Sequence, residues 1–205
     1  YAETCAALAS LYWNWEMALI TQQARYSDLF EWQLYNAASV GMGQNGENYL
    51  YNNPLACHGG VTRRPWFSVP CCPSNLSRTW ARLGKYIYSF DRDNAWLHQY
   101  IGSEAALDLA VPIGVSIESG LPFAGSIKLR VSPASPIDFT LHLRIPSWAA
   151  ARPIGIKING EKQLFPAANQ LDLEPTAQGY DPRASFFVPI RRTWQPGDVI
   201  ELAFE

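Results

Sequence analysis

The sequence predicts an α+β fold in which helices and strands occupy separate domains. Up to about residue 86, apolar residues recur with helical spacing; beyond it, short segments alternate apolar and polar residues and are separated by turn residues. No segment of helical length and period interrupts the second region, which disfavours a parallel α/β sheet. We therefore predict a helical domain over residues 1–86 and an antiparallel β-sandwich domain over residues 87–205.

Two helices are predicted near the start of the chain. The segment 5–21 is apolar nearly all round, which is typical of a helix that is buried on most of its sides. The segment 28–41 has one apolar face, and Ser27 or Asp28 would cap its first turn. Gly41 would end it, because glycine readily adopts the left-handed conformation that commonly follows a helix.

A strand, a long loop and a third helix are predicted next. Residues 47–51 follow an Asn-Gly turn and are typical of a short strand. The loop 52–70 suggests a functional role, because structureless loops of that length are uncommon in compact domains. Ser74 or Asn75 would cap the third helix, which would run to about Lys85.

Ten segments of the second region have the period-two pattern of half-buried strands. They cover residues 86–90, 95–101, 107–109, 114–118, 126–131, 139–145, 154–158, 170–173, 186–189 and 199–204. Turn dipeptides such as Asn159-Gly160 and Pro196-Gly197 separate them. Many short strands at even spacing are typical of a β-sandwich.

The composition limits the classes of partner. The 205 residues carry a formal net charge of −2 and contain no basic run, which argues against a nucleic-acid partner. No apolar run reaches the roughly 20 residues of a membrane-spanning helix, which argues against a membrane partner. The chain begins with Tyr1 and lacks a charged-then-apolar leader, so we expect a piece of a longer protein whose compartment cannot be inferred. A homodimer is left open as its assembly.

Two adjacent cysteines, Cys71 and Cys72, stand between Pro70 and Pro73 directly before the third predicted helix. The positive N-terminus of a helix lowers the pKa of a thiol and favours the thiolate. Two thiols side by side also suit a soft metal such as zinc. The alternative is that both are small buried hydrophobic residues, since free cysteine is among the most buried residue types.

Glu3 and Cys5 could complete a metal site with these two cysteines. One carboxylate and three thiols can close a tetrahedral zinc site. Residues i and i+2 point the same way only in an extended segment, so the first helix would have to begin at about Thr4, a good cap residue, with Glu3 before it. Because the chain has no Cys-x2-Cys knuckle, a solvated glutamate and a core cysteine are the alternative.

Several short motifs follow one another in a specific order. They are Glu3-Thr4-Cys5, Tyr51-Asn52-Asn53-Pro54-Leu55, Arg64-Pro65-Trp66-Phe67, Cys71-Cys72-Pro73-Ser74-Asn75 and Trp194-Gln195-Pro196-Gly197-Asp198. In this order and spacing they resemble glycoside hydrolase family 127, the β-L-arabinofuranosidases. The resemblance covers most of the chain.

This resemblance implies both a fold and a catalytic apparatus. Residues 1–86 would be the last helices of an (α/α)6 barrel that is followed by a β-sandwich. A zinc ion, Zn2+, would be held by Glu3, Cys5, Cys71 and Cys72, and Cys71 would also be the nucleophile of a retaining glycosidase. The general acid/base is implied to be a glutamate upstream of Glu3, so the chain alone would be inactive.

The implied substrate is a carbohydrate with β-L-arabinofuranose at a non-reducing end, as in plant-type glycans. Tyr51, Asn52 and Trp66 could face the sugar; the alternative is packing and hydrogen bonding inside the domain. Cys57 and His58 are interpreted as ordinary loop residues. Two other functions stay open: a non-catalytic carbohydrate-binding or interaction module with a structural zinc ion, and a metal-free domain with buried thiols.

Overall fold

The computed structural model describes residues 2–151, 154–163 and 180–204. The chain divides into two compact units, one formed by Tyr1–Gln22 with Tyr26–Lys85 and the other by Gln23–Arg25 with Tyr86–Glu205. The helices of the first unit and the sheets of the second confirm that the two kinds of secondary structure follow one another along the chain.

Three helices form the first unit. Helix α1 covers Thr4–Thr21, and helix α2 covers Ala24–Gln33. Helix α2 continues as a π-helical turn over Leu34–Ala38 and a 3-10 turn over Ser39–Gly41, so it ends at the predicted glycine. Helix α3 covers Cys71–Ala81. Within the part of the chain that the structure describes, no helix is both long enough and apolar enough to cross a bilayer.

The predicted cap of the second helix is wrong. Helix α2 begins at Ala24, so Ser27 and Asp28 lie inside it, and both are buried. The reason lies at the end of α1, where Gln22 adopts a left-handed conformation (φ 53°) and its N–H donates to the carbonyl of Ala18. This reversal is so short that the second helix starts before the polar pair is reached.

Helix α1 is buried on one side, not on most sides as predicted. Leu8, Leu11 and Trp15 are buried in the side that packs against α3 and the π-helical turn. Trp13 and Ile20 lie on the exposed side, with 67% and 77% of their surface accessible. The described elements of this chain therefore cover only one face of an apolar helix.

The predicted strand at residues 47–51 is also wrong. Tyr49 forms isolated bridges with Met42 and Arg64, and Asn52 forms one with Glu3. Because neighbouring residues pair with different segments, no continuous ladder develops. The extended segment instead ties the start of α1, the end of α2 and the following loop to one another.

Helix α3 starts earlier than predicted. Its N-cap is Pro70, so neither Ser74 nor Asn75 caps it, and Cys71 is its first residue. Cys72, Leu76 and Thr79 then form its buried face at helical spacing. A 3-10 turn over Leu83–Tyr86 follows the helix.

The second unit contains ten described strands and one short helix. The strands are β1 (Tyr88–Phe90), β2 (Asn94–Leu97), β3 (Ser103–Asp108), β4 (Pro112–Ser119), β5 (Ser126–Pro133), β6 (Ile137–Ile145), β7 (Ile154–Ile158), β8 (Glu161–Gln163), β9 (Phe186–Trp194) and β10 (Asp198–Phe204), and helix α4 is Ser147–Ala150. The predicted strand at 170–173 lies outside the described residues.

These strands form two sheets, with orders β1-β2-β6-β9 and β3-β4-β5-β10-β7-β8. Every described pair is antiparallel, as predicted, except β2 and β6, which run parallel with Ala95 opposite Leu141. The exception arises because β3, β4 and β5, which lie in the other sheet, separate β2 from β6 along the chain. Such a crossover connection permits parallel pairing.

One hydrophobic core lies between the two sheets. Alternate residues of β5, among them Leu129 and Val131, are buried in it. Leu141 and Leu143 of β6 enter it from the other sheet, as does Trp194 at the end of β9. The apolar residues of the period-two pattern in the sequence are therefore the residues that are buried in this core.

Gly125 gives a direct test of the packing between β5 and β10. The backbone N–H of Phe204 donates to the carbonyl of Gly125. A Cβ atom added to Gly125 would lie 1.8 Å from the carbonyl oxygen of Phe204. We expect Gly125→Ala to lower the free energy of unfolding by about 1–3 kcal/mol, because the two backbones must move apart. Thermal or denaturant unfolding measures the change.

Gly102→Ala is the matched control. A Cβ there would lie 3.7 Å from the nearest atom, the Ile117 carbonyl oxygen, which is an ordinary contact. Its effect should stay within about 0.5 kcal/mol. Equal stability of the two variants would contradict the described approach of Gly125 to Phe204.

Candidate functional site

The four predicted ligands meet at one point. One carboxylate oxygen of Glu3 and the sulfur atoms of Cys5, Cys71 and Cys72 all lie within 4.8 Å of one another. Glu3 and Cys5 stand at the start of α1, and the two adjacent cysteines stand at the start of α3. The cluster is therefore built from the N-termini of two helices that lie far apart in the sequence.

Two backbone hydrogen bonds fix the start of α1. The N–H of Asn53 donates to the carbonyl of Ala2 at 2.7 Å, and the N–H of Thr4 donates to the carbonyl of Tyr51 at 2.9 Å. Glu3, between them, is the N-cap of α1 and is extended (φ −99°, ψ 139°). An extended Glu3 directly before the helix is the conformation that we predicted would let Glu3 and Cys5 bind one ion.

We predicted Thr4 as a cap residue, but the N-cap of α1 is Glu3. Thr4 instead holds the start of α1 in place through its side chain. Its side chain is buried and its hydroxyl donates to the carbonyl of Leu50 at 2.9 Å. The N–H of Leu50 donates in turn to the carbonyl of Gly41 at 2.8 Å. A Cβ on Gly41 would lie 2.9 Å from Cγ2 of Thr4, so glycine is needed for this close approach.

The start of α3 gives its two thiols different surroundings. Cys71 is half-buried, whereas Cys72 is fully buried. The N-cap Pro70 provides no side-chain hydrogen bond to the first turn. Both thiols thus stand in the first turn of a helix, the end that favours negative charge.

The three distances among Glu3, Cys71 and Cys72 fit the edges of a tetrahedral site. Metal–sulfur bonds of about 2.3 Å and a metal–oxygen bond of about 2.0–2.2 Å require sulfur–sulfur edges of about 3.8 Å and sulfur–oxygen edges of about 3.5–3.6 Å. The Sγ atoms of Cys71 and Cys72 are 3.9 Å apart, and Oε1 of Glu3 is 3.8 Å and 3.5 Å from them. These three donors therefore have the spacing of metal ligands, and the Cys5 sulfur lies within 4.8 Å of each of them.

Tyr51 favours the thiolate form of the more exposed thiol. Its hydroxyl oxygen lies 3.1 Å from Sγ of Cys71, and this hydrogen bond lowers the pKa of Cys71. The same contact raises the pKa of Tyr51, so once Cys71 is deprotonated the tyrosine hydroxyl is the donor of this hydrogen bond. Burial, by contrast, raises the pKa of Cys72.

Asn75 is a site residue that the sequence reasoning missed. Its Nδ2 atom donates to Sγ of Cys5 at 3.2 Å. The sequence suggested a helix cap at this position, but α3 starts four residues earlier, at Cys71. With the helix start placed at Cys71, the spacing i, i+4 puts Asn75 one turn later on the same side of the helix. This spacing is the signal that could have identified Asn75.

The predicted sugar-facing residues differ in their relation to the cluster. Tyr51 adjoins it, as described, and Phe67 packs on the Tyr51 ring with centroids 5.6 Å apart. Asn52 is exposed and forms its bridge to Glu3 through the backbone. Trp66 is 56% exposed, and its ring lies edge-on to Tyr49 with centroids 6.2 Å apart.

A cavity of about 620 Å³ in the same unit reaches the cluster through Glu3. Tyr51, Trp66 and Cys71 do not line it. The lowered pKa of Cys71 and the short distances between ligand atoms belong to the cluster and not to the cavity.

Replacing Tyr51 tests the electrostatics of the site in metal-free protein. Without its hydroxyl, the pKa of Cys71 should rise, so Tyr51→Phe should move the pH midpoint of Cys71 alkylation by iodoacetamide upward and slow the reaction at neutral pH. Peptide mapping by mass spectrometry follows the modification of Cys71 itself. Tyr49→Phe, whose hydroxyl contacts Gly46 and Ser77, is the matched control. An unchanged midpoint in Tyr51→Phe would refute the assigned hydrogen bond.

Two family models match consecutive parts of the chain. Residues 1–85 match the catalytic domain of the GH127 β-L-arabinofuranosidases, and residues 94–205 match their middle domain. Together these matches cover both units of the structure.

Known relatives agree with this assignment. The chain is 31% identical over 189 residues to a non-reducing end β-L-arabinofuranosidase of Bifidobacterium longum subsp. longum, and the match covers 84% of this chain and 28% of that protein. A solved GH127 β-arabinofuranosidase superposes on 100% of this chain and 32% of its own, with a TM-score of 0.85 and 30% identity.

A solved GH127 β-L-arabinofuranosidase from Geobacillus stearothermophilus T6 gives a TM-score of 0.82 and 35% identity, again over 100% of this chain and 32% of its own. The chain thus spans no more than about a third of the length of these relatives. On the strength of both domain matches, the chain belongs to glycoside hydrolase family 127.

Proposed function

We propose that the protein containing this chain is a zinc-dependent retaining glycosidase that releases β-L-arabinofuranose from the non-reducing ends of plant-type glycans. Membership of the family and the activity printed for its relatives support the reaction class. The single observation that carries the mechanism is the position of Cys71. This half-buried thiol lies in a cluster of four metal-type ligands, at a helix N-terminus, with a tyrosine hydroxyl against its sulfur.

Zinc is the metal that this donor set suits best. Three thiols and one carboxylate are ligands that zinc accepts in tetrahedral sites, and Glu3, Cys5, Cys71 and Cys72 would hold it. When bound, zinc keeps its coordinating thiols deprotonated. The cluster would thereby maintain Cys71 as a thiolate at neutral pH.

In the first step, the Cys71 thiolate attacks the anomeric carbon of the arabinofuranoside. A carbon–sulfur bond forms, the bond from that carbon to the leaving oxygen breaks, and the leaving oxygen takes a proton from a carboxylic acid. Among the described residues, Glu3 is the one carboxylate of the cluster. As the resemblance to the family implies, the proposed acid is a glutamate upstream of Glu3.

In the second step, water attacks the same carbon and the carbon–sulfur bond breaks. The carboxylate takes a proton from the water, and the electron pair returns to the Cys71 sulfur. Two inversions give overall retention of configuration. Throughout, the Tyr51 hydroxyl stabilises and orients the sulfur whenever it carries negative charge.

We assign the two regions of the chain accordingly. Residues 1–86 would form the C-terminal part of an (α/α)6 catalytic barrel, and residues 87–205 would form the β-sandwich domain that follows it. Tyr51, Asn52 and Trp66 are the proposed sugar contacts. The position of Tyr51 against Cys71 and the exposure of Asn52 and Trp66 support this role.

One observation favours a second candidate, a non-catalytic carbohydrate-binding or interaction module. The four donors fill every position of a tetrahedral ion, as they do in structural zinc sites, whereas catalytic sites usually keep one position open. The two candidates differ in whether Cys71 ever forms a bond to the sugar.

Replacing the nucleophile tests the enzymatic proposal. We expect Cys71→Ser in the full-length protein to lower kcat by about a thousandfold or more, because a serine hydroxyl is not ionised at neutral pH. Ser77→Ala, on the outer side of the same helix, is the control and should keep wild-type activity. Turnover by Cys71→Ser at the wild-type rate would exclude Cys71 as the nucleophile.

Covalent trapping distinguishes a Cys71 that attacks the sugar from a Cys71 that only binds the metal. A haloacetyl arabinofuranose or cyclophellitol-type probe should add one label to wild-type protein, and tandem mass spectrometry should place that label on Cys71. Cys57, an exposed thiol outside the cluster, is the internal control and should stay unlabelled. Stoichiometric zinc without any label on Cys71 would favour the structural-zinc candidate.

A further inference from the structure

We propose that Asn75 is a positioning residue of the metal site: its side-chain N–H group holds the sulfur of Cys5 and stabilises the bound metal. This inference rests on the proposed zinc site. It extends that site from its four ligands to a residue that donates to one of them.

The geometry places one donor hydrogen on the Cys5 sulfur. Nδ2 of Asn75 lies 3.2 Å from Sγ of Cys5, which is a short distance for an N–H group and a sulfur acceptor. Asn75 is half-buried, so this contact is partly shielded from water. A shielded hydrogen bond to an ionised group is stronger than one in open solvent.

Asn75 is itself held in place. It lies in the second turn of α3, and its carbonyl accepts a hydrogen bond from the Thr79 hydroxyl at 2.7 Å. The Thr79 hydroxyl is also hydrogen-bonded to the hydroxyl of Tyr12, a residue of α1. The contact between Asn75 and Cys5 is therefore part of the packing of α3 against the helix that carries Cys5.

The charge of the site explains why such a donor is needed. Three thiolates and one carboxylate bring four negative charges to a divalent ion, so the loaded site has a net charge of −2. As a thiolate, Cys71 would accept a hydrogen bond from the Tyr51 hydroxyl 3.1 Å away, and Cys5 accepts one from Asn75. Each half-buried thiol thus has its own donor, and each donor offsets part of the excess negative charge.

Removing the donor should weaken metal binding. Asn75→Leu keeps most of the side-chain volume without the N–H group, and Asn75→Asp replaces it with an acceptor that is negatively charged. We expect the zinc affinity of the full-length protein to fall about 10–100-fold, with Asp more damaging than Leu. Competition with a chromophoric chelator measures the affinity, and Ser77→Ala is the control that should leave it unchanged.

The cobalt(II)-substituted protein provides a readout of the sulfur itself. Loss of a hydrogen bond raises the energy of the sulfur lone pairs, so the sulfur-to-cobalt charge-transfer band should move to lower energy in both Asn75 variants. A general loss of stability would not shift this band. Should Asn75→Leu fail to fold, the nearly isosteric Asn75→Asp carries the test.

The outcomes separate this inference from the function on which it rests. If wild-type protein binds cobalt(II) with no sulfur charge-transfer band, the proposed thiolate site itself is wrong. If the wild-type band is present and both Asn75 variants keep its energy and the zinc affinity within twofold, the site stands and the role of Asn75 is overturned.

Discussion

The backbone pairing of residues 2–4 with residues 51–53 holds the start of α1 where the rest of the site needs it. Glu3 and Cys71 are 68 positions apart in the sequence, yet their side-chain ligand atoms lie 3.8 Å apart. Two hydrogen bonds flank Glu3, and the buried Thr4 hydroxyl adds a third through Leu50. Metal sites tolerate errors of only a few tenths of an ångström in ligand position, so the proposed metal site requires this pairing.

The rotation of an α-helix explains why two adjacent cysteines have different properties. Successive residues are turned by about 100° around the axis. Cys72 therefore shares the buried face of α3 with Leu76, whereas Cys71 shares the more open side with Asn75. Burial raises the pKa of Cys72, while the Tyr51 hydroxyl lowers that of Cys71. One turn of helix thus gives two neighbouring thiols different burial and opposite pKa shifts.

The sequence predicted the parts of this structure that depend on local periodicity. The bounds of α1 and most strands of the second unit follow from apolar spacing. The meeting of Glu3, Cys5, Cys71 and Cys72 was expected from the resemblance to a family, since spacing alone left a core role open.

The errors have physical causes. Ser74 and Asn75 have good capping side chains, but the chain enters α3 at Pro70, so those side chains lie inside the helix and Asn75 donates to Cys5. Residues 47–51 have a strand-like pattern, but the isolated bridges of Tyr49 go to two different segments, at Met42 and Arg64. Neither a helix start set by tertiary contacts nor a parallel crossover such as β2 with β6 is visible in local sequence.

If Glu3 and the three cysteines hold one zinc ion in a tetrahedral site, zinc K-edge X-ray absorption on the full-length protein will show its ligands. We expect stoichiometric zinc with about three sulfur neighbours at about 2.3 Å and one oxygen neighbour at about 2.0–2.2 Å. A first shell made of nitrogen and oxygen alone, or protein purified without bound zinc that takes up none, would contradict this proposal.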